Sequence, residues 1–241
     1  MDRNLLYAIG IVVLAVVSII NFPQPNTQEI VNTTQSPITS STVTINLPAV
    51  DEQGNGVVAR LKVQTLSGEG RILTNINQLF FWVDTQYSIR TAEEVARNLT
   101  GKDLSKTDLI YTIETNASII EGQSAGAGLT IATIAAIENK QLNPNVMITG
   151  TINPDGTIGP VGSILAKAKA SKDVGTKLFL VPLGQGVQTN YLPEQHCEQS
   201  AQFTFCTTEY KSQKVNISKD AGIEIREVST INDAIKYLIK D

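Results

Sequence analysis

One segment near the middle of the chain limits the possible folds more than any other feature. From Ser124 to Glu138 the chain consists of small residues, apolar residues and two threonines, and the first charge is Glu138 itself. A surface helix has a polar face, whereas a helix that is apolar nearly all round is buried. The segment therefore predicts a buried helix.

The pattern around this helix contains strands and helices without a regular βαβ repeat. The predicted strands are 57–63, 71–76, 108–114, 146–152, 177–182 and 223–228. The further predicted helices are 88–99, 163–172 and 230–240. A turn at 67–70 separates the first two strands and predicts a hairpin between them. Together these elements predict an α+β domain with a mixed sheet over residues 44–241.

The first 22 residues differ in composition from the rest of the chain. The run from Leu5 to Ile20 carries no charge and ends before Asn21 and Pro23. It is compatible with a buried core helix, a cleaved signal peptide or an uncleaved membrane anchor. Its length is close to the roughly 17–25 residues of a spanning helix, a core helix would show a polar face, and no clear cleavage motif follows. We therefore favour a single N-terminal transmembrane helix within residues 1–22.

Flanking charges predict the orientation of this anchor. Arg3 and the α-amino group precede the apolar run, and the next basic residue is Arg60. Because positive residues accumulate on the cytoplasmic side of a span, the domain is expected on the extracytoplasmic side of the cell membrane. Residues 23–43 are rich in Pro, Asn, Thr, Ser and Gln and lack apolar periodicity, which predicts a tether.

Charge and motif content exclude several function classes. The formal net charge is −4 and the basic residues form no stripe, so nucleic acid is not an expected partner. The sequence contains no G-x-x-x-x-G-K-[S/T] phosphate-binding loop. Its two cysteines are too far apart for a C-x-x-C metal motif. We therefore expect no cofactor and no metal.

A serine at the start of the predicted buried helix is the main candidate for chemistry. Residues 121–128 read E-G-Q-S-A-G-A-G, so Ser124 has small neighbours on both sides. Small neighbours let a substrate backbone approach the hydroxyl, and the N–H groups of a helix N-terminus can stabilise an oxyanion. The alternative is a helix-capping serine with glycines that permit close packing.

A serine hydroxyl needs a base before it can attack an amide, and the chain offers two kinds. Its one histidine, His196, lies in a polar stretch that predicts an exposed loop, which disfavours a Ser-His-Asp triad. Lys167 lies among small and apolar residues, where burial would lower its pKa towards neutrality. By itself, Lys167 is also compatible with an ordinary lysine on a helix surface.

Two segments together resemble the proteolytic domain of Lon peptidases. That family has a serine in an acidic-Gly-x-Ser-Ala motif, then a Thr-Gly pair, a Gly-x-x-x-Pro-hydrophobic-Gly-Gly turn and a lysine that opens a helix. Here residues 121–125 read E-G-Q-S-A, 147–150 read M-I-T-G and 156–167 read G-T-I-G-P-V-G-S-I-L-A-K. The resemblance extends loosely from Val57 to the C-terminal helix.

The resemblance implies a role for each matching residue. Ser124 is the expected nucleophile and Lys167 the expected general base, 43 positions apart as is usual in the family. Thr149 would orient the lysine. The expected supporting residues are Glu121, Gly122, Ala125 and Thr149.

The resemblance also implies an activity, that of a serine endopeptidase acting on unfolded or flexible polypeptides. Because a typical Lon carries an ATPase module that the motifs here lack, we expect hydrolysis that is independent of ATP. Lon-type domains commonly form rings of six, so a homo-oligomer is expected. Two further departures are Ser163, in place of the second glycine of the pair, and Gln123, where proline is frequent. The rival hypothesis is a catalytically inactive, membrane-tethered binding or assembly module of the same fold.

Residues 185–216 are an insertion relative to the family pattern. Cys197 and Cys206 lie within it, with eight residues between them. If the domain is outside the cytoplasm, a local disulfide between them is expected, and buried free thiols are the alternative.

Overall fold

The computed structural model of this chain describes residues 40–75, 80–81, 83–115, 119–120, 123–200 and 203–240. The predicted anchor at 1–22 and the predicted tether up to residue 39 lie outside the described residues, as do Glu121 and Gly122. Within the described ranges, no helix has both the length and the apolar character that crossing a membrane requires.

The described elements follow one another along the chain in a mixed order. The strands are β1 (Ser41–Val50), β2 (Gly56–Ser67), β3 (Ile72–Asn75), β4 (Phe80–Phe81), β5 (Thr107–Glu114), β6 (Ile119–Ile120), β7 (Val146–Ile148), β8 (Thr151–Ile152), β9 (Ile158–Gly159), β10 (Leu178–Pro182), β11 (Val187–Ser200), β12 (Phe203–Asn216) and β13 (Glu224–Val228). The α-helices are α1 (Val83–Thr100), α2 (Gly126–Glu138), α3 (Ile164–Asp173), α4 (Ile217–Ala221) and α5 (Ile231–Leu238). A 3₁₀ turn, Gln123–Ala125, precedes α2. This is the mixed α+β architecture that the pattern predicted.

The main sheet has four strands in the order β1-β2-β5-β3. Strand β1 begins at Ser41, so the last three residues of the predicted tether belong to the sheet. Its side chains alternate between buried and exposed from Ser41 to Ile45, as expected for a strand with one face on a core. The predicted hairpin between β2 and β3 is wrong, because β5 lies between them and pairs antiparallel with β2 and parallel with β3.

A buried carboxylate explains why β5 separates these two strands. Asp108, near the start of β5, accepts hydrogen bonds from the backbone N–H groups of Glu69 and Arg71 at 2.8 and 2.9 Å. It also accepts from the Arg71 guanidinium at 2.8 and 3.0 Å, and these bonds hold the pKa of Asp108 at about 2. Gly68 has no side chain to block this contact, since a Cβ there would lie 2.1 Å from the Asp108 carboxyl carbon. The turn after β2 is therefore fastened to β5 instead of folding back on β2.

Helix α2 is the buried helix that the sequence predicted. Every one of its residues except Glu138 is buried. It packs against β1 so closely that a Cβ on Gly128 would lie 2.3 Å from Leu47 Cδ2. Helix α1 also packs against α2, and its buried side chains include Ile89 and Val95. The small residues of α2 thus bring the elements around it into close contact.

A second sheet packs against helix α3. Its three strands are parallel, in the order β13-β10-β7. The predicted strand over 146–152 is interrupted, since β7 ends at Ile148 and β8 starts at Thr151. Met147 and Phe179 belong to one buried cluster with Ile164 of α3, while Ile148 belongs to the larger cluster that contains most of α2. Strand β7 therefore contributes side chains to both cores.

The predicted insertion at residues 185–216 contains a two-stranded antiparallel ribbon. β11 and β12 pair over their full length, and Cys197 and Cys206 are register partners joined by a disulfide. All β12 residues except Val215 are exposed. The predicted loop around His196 is therefore wrong in its secondary structure, although that side chain is exposed as expected. The Thr, Phe, Tyr and Val residues of β12 favour a strand even where little is buried.

Candidate active site

Ser124 lies in the 3₁₀ turn that leads into α2 and is half-buried. Its backbone carbonyl accepts a hydrogen bond from the N–H of Gly150 at 3.0 Å and another from Thr149 Oγ1 at 3.3 Å. In return, the N–H of Ala127 donates to the Gly150 carbonyl at 3.0 Å. The break between β7 and β8 thus holds the turn that carries the serine.

Small residues make this close approach possible. A Cβ on Gly126 would lie 2.8 Å from the backbone nitrogen of Ile152. A Cβ on Gly150 would lie 2.4 Å from Ile158 Cγ2. Real Cβ atoms do not come so close to a backbone nitrogen, so an alanine at Gly126 would push the serine turn away from β8. The small residues around Ser124 serve packing, and the same packing gives the serine a defined position.

Within the described residues, helix α2 begins without a side-chain cap. Ala125 occupies the N-cap position, and no side chain in the described part of the chain caps this helix end. Helix N-termini favour negative charge because their N–H groups and their dipole point outward. The alternative of a serine that caps the helix is therefore wrong, because Ser124 lies one residue before the cap position and makes no capping bond.

Lys167 lies in α3 and only 3% of its surface is exposed. Its backbone N–H donates to the carbonyl of Ser163 at 3.1 Å, and the neighbouring Ile164 and Ala168 are completely buried. Within the described part of the chain, its ammonium group has no ion pair and no hydrogen bond. Burial without a counter-ion lowers the pKa of Lys167 from its ordinary value of 10.5 to about 8.

The position of α3 depends on its contact with the start of β2. A Cβ on Gly56 would lie 2.1 Å from the backbone oxygen of Ala166 and 2.9 Å from the Cβ of Ala170. The strand and the helix therefore touch with no side chain between them. Lys169, two residues along the same helix, is exposed, so the burial of Lys167 follows from the face on which it lies.

The structure places some of the predicted site residues in contact with Ser124 and others apart from it. Thr149 is completely buried and contacts Ser124 through its hydroxyl. Ala125 belongs to the same turn as Ser124. In the described part of the chain, Lys167 forms no hydrogen bond with Ser124 or Thr149. The contributions of Glu121 and Gly122 stay predictions, since both lie outside the described residues.

Two residues that support α3 were not among the predicted site residues. The side-chain amide of Gln185 pairs with the backbone of Val161, accepting from its N–H at 3.0 Å and donating to its carbonyl at 2.9 Å. Ser163 adopts the left-handed conformation, with φ of 58°. Glycine has no steric cost in that conformation, which explains why the family pattern has glycine at this position. No local sequence pattern predicts the role of Gln185, because that role depends on a contact with a residue 24 positions away.

The remaining candidates for chemistry lie elsewhere. The exposed side chain of His196 lies on the ribbon, with Nε2 4.0 Å from a carboxylate oxygen of Glu194. Among the described residues, no cluster of three or more His, Cys, Asp or Glu side chains has the arrangement of a metal site.

Comparisons with known proteins agree on one family. The sequence model of the Lon protease (S16) C-terminal proteolytic domain matches residues 84–217. An archaeal Lon protease of Thermoplasma acidophilum is 33% identical over 95 residues, which are 39% of this chain and 14% of the relative. An archaeal Lon protease of Archaeoglobus fulgidus is 21% identical over 187 residues, which are 77% of this chain and 25% of the relative. A Lon protease of Fervidobacterium nodosum is 27% identical over 147 residues, which are 59% of this chain and 18% of the relative.

The chain therefore spans a quarter or less of the length of these relatives. The matched range nevertheless includes Ser124, Thr149 and Lys167 and extends over more than half of the chain. This chain belongs to the family of the Lon protease (S16) C-terminal proteolytic domain.

Proposed function

We propose that this chain is a serine endopeptidase in which Ser124 is the nucleophile and Lys167 the general base. The observation that carries the proposal is a lysine with only 3% of its surface exposed. It has no ion-pair partner in the described part of the chain, and its pKa is about 8. A protein gains nothing in stability from such a group, whereas a base with a pKa near the working pH is efficient in proton transfer.

The reaction is an acyl transfer in two halves. Neutral Lys167 Nζ takes the proton of Ser124 Oγ while that oxygen attacks the scissile carbonyl carbon. Backbone N–H groups at the start of α2 stabilise the oxyanion of the tetrahedral intermediate. The lysine then gives its proton to the leaving amine, and an ester remains on Ser124. In the second half, the neutral lysine takes a proton from a water molecule as the water oxygen attacks the ester carbon, and it returns that proton to Ser124 Oγ as the ester bond breaks.

Thr149 is suited to orient both groups. Its hydroxyl donates to the Ser124 carbonyl at 3.3 Å, so its oxygen lone pairs are free to accept a hydrogen bond from a protonated lysine. This second contact is part of the proposal. Glu121, Gly122 and Ala125 are proposed to shape the segment around the nucleophile, by their match to the family motif.

The proposed substrates are unfolded or flexible polypeptides. The chain contains no phosphate-binding loop motif, so hydrolysis is proposed to proceed without ATP. We also propose a homo-oligomer, with six subunits as the expected ring. A membrane anchor in residues 1–22 would confine the subunits to one plane and raise their effective concentration.

Degradation of reduced, carboxymethylated casein tests the function. The full-length protein is expected to degrade it at the same rate with and without ATP, because no nucleotide site contributes. Ser124→Ala is expected to lower the rate by at least about a thousandfold. Ser105→Ala, at an exposed serine away from the 3₁₀ turn, is the matched control and should retain full activity.

Full activity of Ser124→Ala would contradict the proposed nucleophile. A correctly folded wild-type protein that leaves casein intact would instead support the rival hypothesis of an inactive binding or assembly module.

The disulfide supports the proposed location of the domain outside the cytoplasm, where such bonds persist. In protein isolated from membranes without reductant, Cys197 and Cys206 are expected to resist alkylation, and both should react after reduction. Closing this short loop is expected to stabilise the ribbon by about 2–3 kcal/mol in the chain-entropy model. Mass spectrometry of the alkylated protein measures the bond. Two reactive thiols in the unreduced protein would contradict the extracytoplasmic location.

A further inference from the structure

A groove of 470 Å³ lies where the ribbon leaves the domain. One wall is the first turn of α3, with Ser163 and Leu165. The other wall consists of Gly184, Gln185 and residues 187–190 of β11. None of the lining residues is charged, and most are polar or lack a side chain. The groove is thus suited to a ligand that offers backbone groups more than charges.

Four consecutive residues of β11 line this groove, which indicates whether the groove lies on a face or along an edge of the strand. Successive side chains of a strand point to opposite faces, so a groove over one face would contact only every second residue. Contact with all of 187–190 places the groove along the edge of the strand. Within the described part of the chain β11 pairs only with β12, so the edge that faces away from β12 has backbone groups without strand partners.

The ladder of the ribbon identifies the backbone groups on that edge. At the base, the N–H of Ile217 donates to the carbonyl of Gly186 at 3.1 Å, and the register from there is unbroken. Hydrogen-bonded pairs alternate with non-hydrogen-bonded pairs in an antiparallel ladder, so even-numbered residues of β11 bond to β12. Odd-numbered residues direct N–H and C=O away from β12. Along the open edge these are Val187, Thr189 and Tyr191.

The edge has a defined end. Pro193 has the same parity as Thr189 and lacks an N–H, so it removes a donor from the outer edge while leaving the bonds to β12 intact. Natural proteins often protect sheet edges with proline or charge. Here the protection begins only at Pro193, and no other described strand pairs with the edge beside the groove.

We infer that this open edge binds the polypeptide substrate as an added β-strand. The inference rests on the proposed function and names how its substrate is held. Thr189 N–H and C=O form the central pair of hydrogen bonds with the substrate backbone, and Val187 and Tyr191 extend the ladder. The opposite wall contains the first turn of α3, the helix that also carries Lys167.

An extended polypeptide is the occupant that fits these features. A strand edge recognises backbone groups, which every unfolded segment offers and every folded element has already used. The groove lining carries no charge and therefore does not select for charged side chains in the bound peptide, as expected for a site that accepts many sequences. The ribbon coincides with the predicted insertion at residues 185–216.

Binding is measured best in full-length protein carrying Ser124→Ala, since the peptide then stays intact. The probe is a fluorescein-labelled unstructured casein peptide, followed by anisotropy. Thr189→Pro in this background is expected to weaken binding about tenfold, because it removes one backbone donor and places a ring in the path of the peptide. Thr189→Ala keeps the donor and should bind within about twofold of the parent.

A second proline provides the matched control for the ribbon. Ser212 is the register partner of Tyr191, so its N–H points to the outer edge of β12, away from the groove. Ser212→Pro removes an equivalent donor from the opposite edge and should leave peptide affinity unchanged. Native disulfide content by non-reducing mass spectrometry confirms that each variant retains the ribbon.

The peptide itself supplies an independent test. Methylating alternate backbone nitrogens of the peptide blocks the donors on one edge of an extended strand and leaves the other edge unchanged. One methylated series should bind about tenfold more weakly than the other, because an added strand uses only one of its edges. Equal affinities of the two series would overturn the inference.

Three further outcomes would also overturn it. Thr189→Pro and Thr189→Ala could bind equally well, or Ser212→Pro could weaken binding as much as Thr189→Pro. Thr189→Pro could instead abolish self-association in sedimentation while leaving peptide affinity unchanged, which would assign the edge to a second copy. Failure of the proposed function is distinguishable, because it leaves casein uncleaved by the wild type while the edge variants still weaken peptide binding.

Discussion

Replacing Lys167 by methionine is expected to lower kcat/KM for an uncharged fluorogenic peptide by about a thousandfold or more. Methionine has a similar volume and no basic nitrogen, so the serine loses the group that takes its proton. Lys169→Met on the same helix is the matched control, because Lys169 is exposed and should contribute nothing to the reaction. Steady-state kinetics of both variants measure the effect.

The pH dependence of the wild-type protein follows from the same group. Only neutral Lys167 can act as the base, and its pKa is about 8. Below that pH, kcat/KM is expected to fall about tenfold for each unit of pH, because the neutral fraction falls by that factor. Above it, the rate should level off. A rate that is constant between pH 6 and 9, or an active Lys167→Met variant, would contradict the assignment of Lys167 as the base.

The same substitution is expected to raise the free energy of unfolding by about 3 kcal/mol at pH 7, since it removes a buried charge with no ion-pair partner in the described part of the chain. This is the largest stability effect that we expect from a single substitution. A lowering of the pKa from 10.5 to about 8 corresponds to that amount of free energy. Urea denaturation of the wild type and Lys167→Met measures it, and Lys169→Met should change stability by no more than about 0.5 kcal/mol.

The size of this stabilisation depends on pH, because the folded and unfolded states lose the lysine proton at different pH. Below pH 8 the lysine is protonated in both the folded and the unfolded state, so the folded wild type bears the full cost of burying the charge. Between pH 8 and 10.5 only the unfolded state is protonated, so the wild type gains stability as the pH rises. The advantage of Lys167→Met should therefore shrink across this interval. A constant difference between the two proteins from pH 7 to 10 would show that the charge of Lys167 is not the cause.

Together, the two results would show that Lys167→Met increases the stability of the protein and removes its activity. A group that lowers the free energy of unfolding is retained only where its chemistry is needed. Lys167 is therefore expected to lower stability and to be required for activity. A variant that gained stability and kept its activity would separate the two and contradict the proposed mechanism.

The sequence by itself determined the elements that depend on local composition. The buried helix α2 follows from a segment without a polar face. Its residues from Gly126 to Ile137 are all buried, because no side of the helix is suited to contact with water. The motif around Ser124 and its spacing to Lys167 indicate the family from sequence alone. These features could be predicted because each depends on residues that are close in sequence.

Contacts between distant residues were decided only by the tertiary structure. Asp108 binds the turn at Glu69 and Arg71, and this contact places β5 where a hairpin was expected. The segment 146–152 predicts one strand, and its sequence does not reveal that the strand is interrupted at Thr149 and Gly150, which bind the serine turn. Both features depend on hydrogen bonds between groups more than twenty residues apart, which no local pattern encodes.

The candidate site was also predicted only in part from the sequence. Sequence alone identified Lys167 as a lysine among small and apolar neighbours, which is compatible with both a buried and an exposed position. Burial was decided by the contact of α3 with β2, where Gly56 lies against Ala166, and by the face of the helix on which Lys167 lies. Desolvation is a property of everything packed around a charge, so the lowered pKa that makes this lysine a candidate base exists only in the folded chain.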